Sequence, residues 1–273
     1  MRFKTLVASI TLALTAPAFA AIAPFSTGNS ELFLVVQDSV AKVSYTRDLG
    51  PVLYMDTVVA CESGGPNCLK YTFDIAADTN WQTFAGVANL SIATWAVMAG
   101  DTVSPLQAGT HRLLTTVRTA DTSKIVNLTN SQLTNGIGST QGSQFFGSVN
   151  ATGTHAPQTD YTVNGSSVNY ENVGSGLAYF GKPAGLTPTL NGNAPFNVTN
   201  VIGDAKIPLY LLTRSSSANG GKVAVNQLNV GAFEFYASFN GQNLVVAVPE
   251  PSTYALMLGG LLAVGAIARR RRG

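Results

Sequence analysis

Charge is scarce in this chain: Asp, Glu, Lys and Arg make up 11% of 273 residues, with 16 basic and 14 acidic side chains. Arg2, Lys4 and the four arginines 269–272 hold six of the bases, and Glu250 is one of the acids. Residues 21–248 therefore keep ten bases against thirteen acids, a net charge of −3. A nucleic-acid partner calls for a basic patch on the folded body, and that is missing. Histidine and cysteine are scarcer still, at two each. Their number equals that of a zinc site, yet His111 and His155 are far apart and the Cys61–Cys68 spacing is not that of a zinc knuckle. Serine is plentiful, but no Gly-x-Ser-x-Gly elbow occurs, so a Ser-His-Asp triad has no support.

What is present concentrates at the two ends. Met1-Arg2-Phe3-Lys4 is a basic start, residues 5–15 are largely apolar, and Ala18-Phe19-Ala20 is a small-x-small cleavage site. Cleavage between Ala20 and Ala21 makes residues 1–20 a signal peptide. At the other end stand Pro249, Glu250 and Pro251, then the uncharged run 254–268, then Arg269, Arg270, Arg271 and Arg272. Each proline fixes its own φ and drives the residue before it towards extended backbone, so Pro-Glu-Pro presents one carboxylate on a stiff stretch. As a helix, residues 254–268 would span roughly 22 Å. A bilayer core is about 30 Å thick, and Tyr254 with snorkelling arginines makes up part of the deficit. The arginines hold their end in the cytoplasm by the positive-inside rule.

This tripartite tail resembles the PEP-CTERM sorting signal of Gram-negative bacteria. The resemblance implies that Pro249, Glu250 and Pro251 are the recognition element, 254–268 a single transmembrane helix serving as a transient anchor, and Arg269–Arg272 the stop-transfer cluster. It further implies an exosortase and the secretion translocon as partners, removal of the tail at the inner membrane, and a link to exopolysaccharide and biofilm. Residues 30–34 and 43–50 are similar to the openings of other uncharacterised members, which brings no activity with it. Some ice-binding proteins share the tail, but the body lacks a regular Thr-x-Thr array, so that function ranks low.

The body, residues 21–248, is expected to be mainly β: an antiparallel β-sandwich-like domain with one or two short helices. Leu69, Tyr71, Phe73 and Ile75 alternate with polar residues, as do Ala41, Val43 and Tyr45, the period of a half-buried strand. Residues 32–36 are continuously apolar and suit a central strand covered on both faces. Residues 52–59, 91–98, 112–119 and 206–213 are further strand candidates, the last demoted to an edge or a bulge near its start by Pro208. A hairpin closes the body at Asn240-Gly241. A two-residue type I′ turn there sets Phe239 opposite Gln242, Ala237 opposite Leu244 and Phe235 opposite Val246. Residues 121–150 carry apolar positions at helical spacing, weakened by Asn, Thr and Gly. Residues 142–200 read as long loops or short edge strands.

Cys61 and Cys68 are expected to form a disulfide in an oxidising compartment, with reactive thiols or metal ligands as the alternatives. His111 and His155 read as ordinary surface or turn residues. Asp74 and Asp78 with Asn80 could ligate calcium or act as paired carboxylates, but calcium-loop spacing is absent and a solvated strand end and turn is the preferred reading. Gly136-Ile137-Gly138 and Gly174-Ser175-Gly176 lack a phosphate-loop context. Trp81 and Trp95 are the candidates for a sugar-stacking platform, with core packing the preferred reading. Together these features point to an exported, non-enzymatic component of the cell envelope or exopolysaccharide matrix, with no cofactor and no metal. Extracellular polysaccharide is the candidate partner after release. The rival reading is a secreted carbohydrate-binding or carbohydrate-cleaving protein.

Overall fold

The computed structural model describes residues 22–50, 53–63, 68–103, 105–152, 154, 165–181, 200–230 and 233–248. The signal peptide, the Ala20–Ala21 junction, the turn between the cysteines, His155, and the tail with Pro249, Glu250, Pro251, its anchor and Arg269–Arg272 lie outside the described residues.

The described chain is mainly β. Its strands are β1 (Phe33–Asp38), β2 (Val43–Asp48), β3 (Lys70–Asp74), β4 (Thr94–Asp101), β5 (Arg112–Thr116), β6 (Ser166–Tyr170), β7 (Asn200–Val201), β8 (Ile207–Thr213), β9 (Ala224–Gln227), β10 (Asn229–Val230), β11 (Phe233–Glu234), β12 (Tyr236–Phe239) and β13 (Asn243–Ala247). The helices are α1 (Met55–Ala60), α2 (Thr79–Val87), α3 (Thr122–Val126), α4 (Asn130–Ile137) and α5 (Ser139–Thr152). One curled antiparallel sheet runs in the order β3-β13-β12-β8-β5-β4-β1-β2-β6, with β7 added to β4 and β9 to β8. The curl brings the two arms of the sheet together, so that Phe239 of β12 meets Trp95 of β4, ring centroids 6.0 Å apart.

Strand alternation sorts side chains onto the two faces. Leu34, Val36, Trp95 and Val97 join Phe73, Phe239, Leu244 and Val246 in the core enclosed by the curl. Phe33, Val35, Ala96 and Met98 point the other way, under Ile125, Leu133, Phe145 and Phe146 of the helical layer. The apolar run 32–36 is therefore central and covered twice, as its composition suggests. β2 departs from the half-buried reading, because all six of its residues are buried. Its polar positions are covered as well; Ser44 Oγ, for example, accepts the Phe180 N–H at 3.1 Å.

The helical layer is larger than expected, with α3, α4 and α5 filling residues 122–152. α4 begins in a capping box in which Thr129 Oγ1 accepts from the Gln132 N–H and Gln132 Oε1 accepts from the Thr129 N–H. This reciprocal pair offsets the weak helix propensity of the Asn- and Thr-rich stretch.

Three expectations are corrected. Within the proposed strand 52–59 the chain forms α1, where Met55 and Val58, one turn apart, are both buried. Burial of one helical face outweighs the β preference of Thr57-Val58-Val59. β8 is an interior strand, not an edge. Leu209 makes both its backbone bonds on the β9/β12 side, to Phe235 and Leu228. The missing N–H of Pro208 thus faces the β5 side, beyond the last paired residue, Thr116. At the closing hairpin Phe239 pairs with Leu244 and Ala237 with Val246. Asn240 lacks the positive φ that a type I′ turn needs; instead its side chain accepts the N–H groups of Gln242 and Asn243 at 2.9 and 2.7 Å. The register shifts by two residues, so the faces are preserved. Phe235, Ala237, Phe239, Leu244 and Val246 all remain in the core.

Candidate functional site

The junction between body and tail is built by β13. This strand is flanked by β12 on one side and β3 on the other, and the Val248 N–H donates to the Leu69 carbonyl at 3.2 Å. Leu69 follows Cys68, which is bonded to Cys61 with Cα atoms 5.6 Å apart. The disulfide thus joins the end of the α1 segment to the start of β3. The tail begins one residue beyond this pairing.

Asp78, expected in a solvated turn, is instead the centre of a buried polar cluster. It caps α2 by accepting the Asn80 N–H at 2.9 Å. It also accepts from Tyr45 Oη at 2.8 Å, Ser166 Oγ at 2.9 Å and the Arg47 guanidinium at 3.1 Å. Burial, with Asp78 alongside, pushes the Tyr45 hydroxyl well above its ordinary range, so it stays a donor. The cluster ties β2, β6 and α2 together. Asp74 keeps the turn role expected of it, with Oδ1 accepting the Ala77 N–H.

A second cluster joins two carboxyls. Asp48 closes β2, and Glu31 lies opposite Tyr54 in an isolated bridge. The two carboxyls lie close enough to act on one another. Burial first, and the Glu31 charge second, push Asp48 up to about 7, while the Gly50 N–H, 2.8 Å from Oδ1, pulls the other way. Burial and the Glu31 carboxyl raise the Tyr54 hydroxyl to about 12. Two charged carboxylates cannot share so small a dry space at low cost; a proton on Asp48 turns repulsion into a hydrogen bond.

Two arginine clamps stand beside these clusters, one partly exposed and one enclosed. Arg112 bridges Asp101 at 2.8 Å and Asp56 at 2.7 Å. Arg214, fully enclosed, donates to Thr134 Oγ1, the Ser217 carbonyl and Asn219 Oδ1, fixing the loop after β8 against α4.

His111 occupies a turn, as expected, but is buried and has a positive φ of 49°. Burial and nearby Arg214 lower its pKa, so at neutral pH the ring is uncharged. Trp81 and Trp95 pack in the core, edge-on to Phe239 at 5.2 and 6.0 Å, and neither offers an open ring face for sugar. Gly174 and Gly176 have positive φ in a turn after β6, and Gly136–Gly138 lies at the end of α4. Among the described residues there is no group of three or more His, Cys, Asp or Glu placed to hold a metal ion. Among them, too, no helix is long and apolar enough to cross a membrane.

Glu31 and Asp48 lie in the two segments, 30–34 and 43–50, that are similar to other members, but no local pattern pairs their carboxyls. Asp78 did carry a signal: Asp before a helical segment is a common N-cap.

A sorted, exported protein is the class that the tail defines. Residues 247–272 match the family model of the PEP-CTERM protein-sorting motif. The motif implies export, a membrane-anchored sorting signal and an exosortase as processing partner; it says nothing about the body. No curated protein and no solved structure matches the chain.

Proposed function

We propose that the body is a non-enzymatic component of the cell envelope or exopolysaccharide matrix, delivered by its tail to the surface or matrix of a Gram-negative cell. The observation that carries this reading is how the carboxyls that cluster are used. Asp78 is committed to Arg47, Tyr45 and an N-cap, Asp48 to Glu31, and Asp101 to Arg112. Glycoside hydrolysis needs two carboxyls flanking an open substrate site about 5–10 Å apart. Those three acids are instead turned inward as braces between strands and helices. The low charge and abundant Ser, Thr, Asn and Gly suit a neutral surface that associates through hydroxyl and amide groups.

The test is a binding and turnover screen of purified residues 21–248 against a glycan array and the polysaccharide matrix of the producing cells. Saturable matrix association without release of sugar fragments is the expected result. Steady turnover that disappears in Asp48→Asn or Asp78→Asn variants that remain folded would replace this reading with a carbohydrate-cleaving one.

A further inference from the structure

We propose that Asn219 is a site of spontaneous deamidation, and that the acid formed there gives the buried Arg214 the counter-ion that it otherwise lacks. The step needs only water and is independent of what the body binds.

Arg214 is 1% exposed, and among the described residues no carboxylate pairs with it. Nη1 donates to the Asn130 carbonyl at 3.3 Å and to Thr134 Oγ1 at 2.8 Å. Nη2 donates to the Ser217 carbonyl at 2.8 Å and to Asn219 Oδ1 at 2.9 Å. Nε is buried without an acceptor. Neutral oxygens alone thus hold a full positive charge that has been withdrawn from water, which is costly. Of these oxygens, only Asn219 Oδ1 sits on a group that water can turn into an acid without cutting the chain. The other arm of that amide gives up nothing in the change, because Asn219 Nδ2 donates to no protein acceptor among the described residues.

Asn-Gly pairs are prone to this change because glycine has no side chain to shield its own nitrogen. Asn135-Gly136 is inside α4, where backbone N–H groups are spent on helical bonds. Asn240 Oδ1 is occupied by the Gln242 and Asn243 N–H groups. Asn219-Gly220 stands in an exposed turn, where the Gly220 N–H meets no protein acceptor among the described residues. A Cβ on Gly220 would touch nothing within 4 Å, so the approach is open.

The Gly220 nitrogen attacks Asn219 Cγ and loses its proton. The bond from Cγ to Nδ2 breaks and ammonia leaves, closing a cyclic imide. Arg214 Nη2, already on the Cγ oxygen, stabilises the charge that develops there. Water then opens the ring. Attack at Cγ breaks its bond to the Gly220 nitrogen, returns a proton to that nitrogen and leaves aspartate against Arg214. Attack at the main-chain carbonyl instead gives isoaspartate, whose backbone is longer by one methylene. That carbonyl accepts a neutral N–H, from Ser131 at 3.0 Å, whereas the Cγ oxygen faces a charged donor, which is the stronger. The Asn130 N–H also holds the Gly221 carbonyl at 2.7 Å, so the loop is pinned on both sides of Gly220 and resists lengthening. The fold therefore directs the opening towards aspartate.

Two measurements test the proposal. Full-length protein in detergent is held folded for weeks at mildly alkaline pH, then mapped by peptide mass with aspartate and isoaspartate separated by chromatography. Acid should accumulate at 219. Its ratio of aspartate to isoaspartate should be roughly fivefold higher than in the same chain held in urea, as a charged donor in place of a neutral one implies. An amide that stays intact at 219 in the folded protein, or the same ratio with and without urea, overturns the proposal. The counter-ion is tested by Asn219→Asp, whose urea midpoint at pH 7 should exceed that of the unmodified protein. An equal or lower midpoint overturns the gain for Arg214, whatever the rate at 219.

Discussion

Raising the pH should destabilise this protein through a single buried pair. Asp48 has an ordinary carboxyl value of 3.8 and is pushed up to about 7 in the fold, by burial and by Glu31. The folded state therefore binds a proton that the unfolded chain has already released between those values. The contribution is fully present below pH 4 and is lost as the pH rises through 7. A gap of roughly three units corresponds to about 4 kcal/mol at about 1.4 kcal/mol per unit, an upper figure for a pair able to relax. Urea unfolding at pH 5, 6, 7 and 8 should show this loss chiefly up to pH 7, as a midpoint that falls relative to that of Asp48→Asn. Asp48→Asn tests the cause, because its amide can donate to Glu31 at any pH. Its stability should lack this fall over the same range and should exceed that of the unmodified protein at pH 8. His111 works in the opposite sense, since its lowered value costs stability as the pH falls below about 6.5, and it is common to both proteins. Equal slopes for the two proteins would refute the shared proton.

Phe235→Ala should cost about 3–5 kcal/mol, read from urea midpoints, because the ring is fully enclosed in the core of the curl. Breaking Cys61–Cys68 by double serine substitution should cost about 2–3 kcal/mol in the chain-entropy account, measured against the oxidised protein. His111→Ala should lose about 1 kcal/mol, whereas His111→Gly should lose less, because the position has a positive φ. Matrix association by either His111 variant should equal that of the unmodified protein.

The elements that sequence revealed best are those whose side-chain pattern matches a single environment. β3 alternates because one of its faces is exposed, and the run 32–36 is apolar throughout because both sides of β1 are covered. The Cys61–Cys68 bridge followed from there being just two cysteines close together in an exported chain. Misreadings arose where tertiary contact overrode local preference. Thr57-Val58-Val59 favours a strand in isolation, yet burial of Met55 and Val58 makes it helical. At Asn240-Gly241 the turn was legible but its type was not, since the Asn240 side chain stabilises a longer loop. The shift of two residues was harmless to the core because strand faces repeat every two. The polar clusters were invisible for another reason: Asp78 meets Ser166 across 88 residues of sequence, and no local pattern encodes that. The capping box at Thr129 and Gln132 was readable and marks the start of α4 unaided.

Sorting by the tail is the central claim, and peptide mapping of the native protein in cells with and without their exosortase tests it most directly. With the enzyme, the protein outside the inner membrane should begin at Ala21 and yield no peptide containing Arg269–Arg272. Without it, the protein should stay in the inner membrane with those arginines attached. An intact tail on protein in the extracellular fraction, or the same product in both strains, would contradict the account.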